Sequence, residues 1–365
     1  MARRLASLTV ASVEQARARI GKMVNRTPVV TSPALSRALQ SSLTKFHPKS
    51  QDHDVQLFFK CENLQQGGSF KFRGALHCLA KLAETNADLS SGLVTYSTGN
   101  HARALGMAAQ LVSKERKLPI PVSVVMSRNS PTSKFEALRR LGINIVTTGN
   151  RPEDREEKAA EIHKNTGALL VPPSDNPDIA LGQGTTILEF EEQVKGLGGE
   201  GLDGVIMSSG GGGLLTGASI VGAGTRLRVY GAEPEEGGPC LGQGRAWGRR
   251  VESISTSTVA DGLRVPVGRE YFELLRRSEY VDGVYTATEE QIREAVLLAL
   301  TELKMVIEPS AAVALAAVLH SPGFHECLAR DKGGLRRIGI VLTGGNISVD
   351  ALLRIVAHHV NVIEG

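Results

Sequence analysis

The chain has 365 residues, of which 41% are hydrophobic and 22% charged, and its formal net charge is +4 at pH 7. This length accommodates two domains, and this composition excludes a disordered chain. Acidic and basic residues are interleaved and no apolar run is long enough to cross a membrane, so we expect neither a nucleic-acid nor a membrane partner. The four cysteines lack zinc or disulfide spacing, which favours a reducing, cytoplasmic location, although the basic residues 1–8 leave a targeting segment open.

Hydrophobic spacing and turn residues predict strands that alternate with helices. We expect a first helix from Ser12, a second from Ser32 and a polar surface loop at 40–56. Further strands are predicted at 56–60, 93–96, 121–126, 143–146, 169–171, 204–208, 228–232 and 337–342, and further helices at 75–82, 100–112, 131–141, 153–164, 178–196, 213–222, 288–304, 309–320 and 348–358. This order is typical of an α/β fold with open parallel sheets covered on both faces.

Four short stretches carry candidate chemistry. The first is residues 67–75, where Lys71 lies between small residues just after the strand at 56–60. A lysine on such a turn has a fixed backbone and a flexible amine, which suits imine formation with a carbonyl if the amine is neutral. Taken alone, a lysine here is more often a solvated surface residue, so its assignment depends on the other three stretches.

The second stretch contains four consecutive glycines, residues 210–213, between a predicted strand and a predicted helix. The backbone N–H groups of such a turn form an anion pocket that a phosphate can approach closely. A dinucleotide-binding fold is the alternative, because Glu233 ends the next strand about twenty residues later. The glycine pattern does not fit this alternative, since Leu215 or Thr216 stands where the third glycine of G-x-G-x-x-G belongs.

The third and fourth stretches are residues 97–101 and 343–346, which follow predicted strands at their carboxyl ends. Open parallel sheets bind ligands at this edge. Taken together, the four stretches resemble the fold-type-II pyridoxal-phosphate (PLP) enzymes, and within them the serine racemase and serine/threonine dehydratase family. The resemblance extends from about Ala11 to about Val356.

This resemblance implies a tryptophan synthase β-like fold with the active site in the cleft between two open-sheet domains. We assign a large domain to residues 1–85 and 172–365 and a small, mobile domain to residues 86–171. PLP is the implied cofactor, a small amino acid the substrate and a homodimer the assembly. The implied cofactor-binding residues are Phe70, Lys71, Asn100, Gly210, Gly211, Gly212, Gly213, Leu214 and Thr343.

The family's residue roles carry over to matching positions. Lys71 binds the cofactor covalently and moves the α-proton, the glycines hold the phosphate, and Asn100 contacts the phenolic oxygen. Thr343 offers a hydroxyl to the pyridine nitrogen, which makes the ring a weaker electron sink than a carboxylate would and favours prompt loss of a β-substituent. The implied substrate-binding residues are Ser97, Thr98, Asn100, His101 and Arg155, although a solvated helix-start arginine is an equal alternative for Arg155.

Two positions depart from the family pattern. The racemases have serine where this chain has Thr98, and that serine is their second acid/base group. The methyl group of threonine restricts χ1, so its hydroxyl has fewer positions from which to transfer a proton in racemisation. A divalent-cation loop of the eukaryotic racemases matches Glu233 and Gly237, but Pro239 replaces its aspartate. Mg²⁺ or Ca²⁺ would need another oxygen ligand here, for which Glu235 or Glu236 is the candidate.

The implied activity is dehydration of a β-hydroxy amino acid such as L-serine, L-threonine or 3-hydroxyaspartate, which yields a 2-oxo acid and ammonia. An amino-acid racemase that uses Lys71 and Thr98 is the alternative. An NAD-dependent oxidoreductase is a more distant one.

Overall fold

A computed structural model describes residues 5, 7–46, 54–85, 87–97, 99–237, 240–331 and 334–364. The strands in these residues are β1 (Val29–Thr31), β2 (Gln56–Lys60), β3 (Leu93–Thr95), β4 (Val122–Ser127), β5 (Asn144–Thr148), β6 (Leu169–Leu170), β7 (Gly204–Ser208), β8 (Arg228–Pro234), β9 (Gly283–Ala287) and β10 (Arg337–Val341). Their order is β1-β2-β10-β7-β8-β9 in one sheet and β5-β4-β3-β6 in the other. All pairings are parallel except that of β1 with β2.

The α-helices in the described residues connect the strands. They are α1 (Val10–Ile20), α2 (Pro33–Phe46), α3 (Lys71–Glu84), α4 (Asn100–Arg116), α5 (Thr132–Arg139), α6 (Pro152–Thr166), α7 (Pro177–Gly196), α8 (Gly213–Gly222), α9 (Cys240–Trp247), α10 (Arg269–Leu275), α11 (Glu289–Glu302), α12 (Pro309–His320), α13 (Pro322–Arg330) and α14 (Val349–Glu364). Within this part of the chain, none of the helices has both the length and the apolar character to span a membrane.

The larger sheet is covered on both faces, as its sequence pattern predicts. Every residue of β7 is buried. Because side chains alternate along a strand, Val205 and Met207 pack with α8 in one core, whereas Ile206 packs with α12 in the other. The smaller sheet packs against α3 and α4 through residues such as Leu93, Val122 and Val124. The α/β prediction is confirmed, and the strands of the smaller sheet all lie between residues 93 and 170.

The polar loop predicted at 40–56 is wrong in its first half. Helix α2 continues to Phe46, because Leu35, Leu39 and Leu43 recur at helical spacing and are fully buried. The polar residues between these leucines lie on the outer face of the helix. Residues 47–53 lie outside the described part of the chain. Strand β9 and helices α9, α10 and α13, which are short, were not predicted from the sequence.

Candidate active site

Three of the four predicted stretches follow three neighbouring strands. β2, β10 and β7 are adjacent and parallel, so their carboxyl ends meet at one edge of the larger sheet. Residues 67–75 come after β2, residues 343–346 after β10, and the four glycines after β7. The topology therefore brings together residues that are far apart in sequence, at the edge where open parallel sheets bind ligands.

The turn before Lys71 is held against the end of β10. Ser69 forms an isolated bridge with Gly344, and the backbone N–H of Phe70 donates to the carbonyl of Thr343 at 3.1 Å. Gly68 has φ 74°, and a Cβ there would lie 2.5 Å from Asn346 Oδ1, so this position requires glycine for both its conformation and its space.

Helix α3, which begins with Lys71, is anchored by a buried ionic cluster. Arg73 donates to both Glu62 oxygens, at 2.8 and 2.7 Å, and to Glu189 at 3.1 and 3.0 Å. The Lys60 ammonium lies 2.5 Å from Glu189 Oε1. These charges are paired in the interior, where an unpaired charge would be strongly unfavourable, so the cluster fixes the start of α3 relative to β2 and α7.

The amine of Lys71 is inside the cleft. Its Nζ lies 3.4 Å from the carbonyl oxygen of Pro173 and 5.1 Å from the centre of the Phe70 ring. Burial lowers the pKa of Lys71 to about 8, because the charged ammonium is poorly solvated there. A substantial fraction of the amine is therefore neutral, and nucleophilic, near physiological pH.

The four glycines form a tight cup at the start of α8. Gly212 has φ 88°, and a Cβ on Gly213 would lie 2.4 Å from Gln183 Oε1. Around the cup, the buried hydroxyls of Ser208, Ser209 and Thr216 and the side-chain amide of Gln183 have no hydrogen-bond partner among the described residues. Polar groups left unpaired beside a helix amino terminus fit a bound anion such as a phosphate.

Asn100 connects the smaller sheet to the end of β10. It begins α4, and no side chain in the described residues caps this helix. Its Nδ2 donates to Glu308 Oε1 at 2.6 Å, and its Oδ1 accepts from Asn346 Nδ2 at 2.8 Å. Glu308 was missed by the sequence analysis. The available signal was an acid between Ile307 and Pro309, immediately before the fully buried helix α12.

His101, the second residue of α4, is buried. Its Nε2 lies 3.2 Å from the carbonyl oxygen of Val171, while Nδ1 has no partner in the described residues. Burial first, and then the charge of Lys71, lower the pKa of His101 to about 3, so the ring is neutral with its proton on Nε2. The His101 ring therefore has no second N–H group to donate to a substrate carboxylate. The backbone N–H groups at the start of α4 are the remaining donors for it.

The other predicted substrate residues are placed as follows. Ser97 is half-buried, and its Oγ accepts from Gly99 N at 3.5 Å. Arg155 lies in the first turns of α6, with a buried Nε that has no partner among the residues described. Thr98 lies outside the described residues.

The predicted cation loop has a different arrangement. Glu233 is fully buried at the end of β8, where its two oxygens accept from Leu241 N and Gly242 N, each at 2.9 Å. Gly237 is exposed. In the described residues no three histidine, cysteine, aspartate or glutamate side chains are grouped to hold a metal ion. Both carboxylate oxygens therefore accept from the start of α9. Pro239 lies outside the described residues, and the Mg²⁺ or Ca²⁺ site stays a prediction.

A lysine amine of lowered pKa, a glycine turn beside unpaired polar groups and Thr343 after β10 lie at one edge of the larger sheet, and together they fit a PLP-dependent enzyme. The chain matches the family described as "Pyridoxal-phosphate dependent enzyme" over residues 20–344, and it belongs to that family. The unpaired polar groups at the cup and the low pKa of Lys71 fit this cofactor. When bound, PLP supplies a ring that withdraws electrons from the substrate's α-carbon. The dinucleotide alternative is thereby excluded.

Known relatives extend over nearly the whole chain. The chain is 34% identical to a serine racemase of Arabidopsis thaliana, over 94% of each sequence. It is 36% identical to a beta-hydroxyaspartate dehydratase of Paracoccus denitrificans, over 92% of this chain and 95% of that protein. The solved structure of maize serine racemase is 32% identical, with a TM-score of 0.83 over 98% of this chain and all of that one. The fold-type-II prediction is confirmed.

Proposed function

We propose that the chain is a dehydratase of β-hydroxy amino acids. The observation that carries this proposal is Lys71, whose amine is held in the cleft and has its pKa lowered to about 8 by burial. A neutral amine at this position can act as a base, and the ammonium formed can then act as an acid. Net loss of water from the substrate gives an enamine, which tautomerises and hydrolyses to a 2-oxo acid and ammonia.

Different residues bind the substrate, bind the cofactor and transfer protons. The free N–H groups at the start of α4 bind the α-carboxylate, and the glycine cup binds the phosphate. Nζ of Lys71 takes the α-proton and delivers a proton to the departing β-hydroxyl. Thr343, 4% exposed, would offer a hydroxyl rather than a carboxylate to the pyridine nitrogen of the cofactor, which would favour prompt loss of the β-substituent.

We infer that 3-hydroxyaspartate is the preferred substrate. A second carboxylate needs hydrogen-bond donors beyond the N–H groups of α4. The donor that we assign is Arg155, whose buried Nε has no partner in the described residues. Relatives named beta-hydroxyaspartate dehydratase and L-threo-3-hydroxyaspartate ammonia-lyase support this choice. The test is a panel of L-serine, L-threonine and the 3-hydroxyaspartate isomers, in which 2-oxo acid is measured. Absence of 2-oxo acid from all of them would reject the dehydratase.

Racemisation is the second candidate activity, because several relatives are named serine racemases. It needs a second acid/base group opposite Lys71, and Thr98 is the residue that we assign to this role. Chiral chromatography of the same reactions measures the D-isomer beside the 2-oxo acid, and we expect elimination to dominate.

The proposal includes a cytoplasmic homodimer with a mobile small domain at 86–171. All four cysteines are unpaired, which supports a reducing compartment. The polar contacts across this boundary include Lys134 on α5 with Asp261 at 2.7 Å and Asn100 with Glu308 and Asn346. Helix α3 also packs against the smaller sheet across the boundary. Mass measured by light scattering tests the dimer.

A further inference from the structure

Glu308 lies within the cofactor site, although its chemistry is not used in the mechanism above. It precedes α12 and its side chain is only 6% exposed. Its backbone N–H donates to the carbonyl of Gly344 at 3.0 Å. A Cβ on Gly344 would lie 2.6 Å from Glu308 Oε1, so the carboxylate lies directly against the backbone next to Thr343.

The side-chain amide of Asn100 is held at both ends. Glu308 accepts from its Nδ2, and Asn346 donates to its Oδ1. Asn346 is itself oriented, because its Nδ2 also donates to the carbonyl of Gly67 at 2.8 Å. An acceptor on one side and a donor on the other allow only one orientation of the amide. One Nδ2 hydrogen of Asn100 then remains without an acceptor among the described residues.

We propose that Glu308 is a positioning residue for PLP, which fixes the amide of Asn100 so that its remaining Nδ2 hydrogen is offered to the phenolic oxygen of the cofactor. This inference rests on the role proposed for Asn100. Removal of Glu308 frees Asn100 to rotate, and the cofactor loses an oriented donor. The carboxylate form is the better acceptor, because hydrogen bonds to charged oxygens are stronger than those to neutral ones.

The charge of Glu308 depends on its surroundings. Burial raises its pKa to about 7, and Asp261 raises it further, while the Asn100 hydrogen bond, Lys134 and the backbone of Asn346 act in the opposite direction. Below this pKa Glu308 is protonated and holds Asn100 less firmly. The absorption of bound PLP should therefore change with pH near neutrality, and this change should require an acid at position 308.

The experiment uses the PLP-loaded enzyme without substrate. We expect Glu308→Ala to raise the PLP dissociation constant about tenfold and to alter the visible absorption band. Glu308→Gln keeps an acceptor for Asn100, so its affinity should stay within about twofold of wild type, while the absorption change near neutral pH disappears. Glu308→Asp should retain a pH-dependent change. The matched control is Glu289→Gln, a buried carboxylate at the start of α11 that accepts from Val259 N at 2.8 Å; it should leave PLP binding unchanged.

Asn100→Ala separates failure of this inference from failure of its premise. If Asn100→Ala changes the spectrum and affinity but Glu308→Ala and Glu308→Gln do neither, the positioning role is rejected. If Asn100→Ala itself has no effect, the assignment of Asn100 fails and the inference fails with it.

In the double variant Asn100→Ala/Glu308→Ala, the effects on PLP affinity should be less than additive, because both substitutions remove the same donor. If the wild type produces no 2-oxo acid but the changes in PLP binding occur as expected, the dehydratase is rejected and the positioning role of Glu308 stands. Should Glu308→Ala fail to fold, retention of the pH-dependent band in Glu308→Gln would still overturn the inference.

Discussion

The backbone N–H of Phe70 donates to the carbonyl of Thr343, so the residue before the reactive lysine is fixed to the end of the central strand β10. This contact holds the residue before Lys71, to which we assign the proton transfer, against Thr343, which we assign to the pyridine nitrogen. One sheet therefore positions both residues, rather than two separate flexible loops.

Substitution of the lysine tests the covalent attachment. We expect Lys71→Ala to lose the yellow colour of the bound cofactor and to lower 2-oxo acid production by about 10²- to 10⁴-fold. In the wild type, borohydride should fix a pyridoxyl group on Lys71, which mass spectrometry of the digested protein would locate. The control is Lys81→Ala on the same helix, where the amine pairs with Asp178 and should not affect colour. Modification at another lysine would contradict the assignment.

Cofactor loading should depend on pH. Because burial lowers the pKa of Lys71 to about 8, about half of the amine is neutral at that pH and nearly all of it about one pH unit higher. The rate at which cofactor-free protein takes up PLP, followed by absorbance, should rise through about pH 8 and level off by about pH 9. A rate that keeps increasing beyond about pH 10, as for an exposed lysine, would refute the buried amine.

The glycine cup should not tolerate a side chain. A Cβ on Gly213 meets Gln183 Oε1 at 2.4 Å, so Gly213→Ala should raise the PLP dissociation constant about tenfold or more. The second substitution Gln183→Ala should recover part of the affinity by opening space. Gly196→Ala is the control, because nothing lies within 4 Å of that position. Equal affinity in Gly213→Ala would mean that the phosphate binds elsewhere.

We predict from the sequence that Thr98 sets the balance between elimination and racemisation. Thr98→Ser keeps the hydroxyl and removes the methyl group that restricts χ1, so the ratio of D-isomer to 2-oxo acid should rise. Thr98→Ala should abolish the D-isomer and retain the cofactor colour. Chiral chromatography beside a 2-oxo acid assay measures both products. An unchanged or lower ratio in Thr98→Ser would show that the methyl does not limit racemisation.

Closure of the small domain should slow hydrogen exchange. A substrate analogue that occupies the cleft is expected to protect amides between residues 92 and 170, while those of β7 and α8 change little because they are already buried. Mass spectrometry of exchanged peptides gives both regions from one sample. Equal exchange with and without the analogue would reject the mobile domain.

Lys71 and the four glycines are candidates because four stretches occur together, since a lysine on a turn is by itself more often a solvated surface residue. Three of these stretches meet at one edge of the larger sheet, and the roles assigned to their residues stay predictions. Glu308 was missed because its importance comes from a contact with Asn100, 208 residues earlier in the chain. The contacts of the Glu233 oxygens with Leu241 and Gly242 could not be predicted for a similar reason, since the short helix α9 was not recognised in the sequence.

The position of β10 has a consequence for the order of folding. It is the last strand in the chain, yet it lies between β2 and β7, which do not pair with each other. During synthesis, β2 and β7 are therefore each left with an open edge until residues 337–341 have emerged from the ribosome. Such unpaired edges are exposed to misassembly, and pairing over this sequence distance is intrinsically slow. We therefore expect cofactor uptake on the nascent chain to be among the final events of its maturation, and nonsense mutations upstream of β10 to yield aggregates rather than partial enzymes.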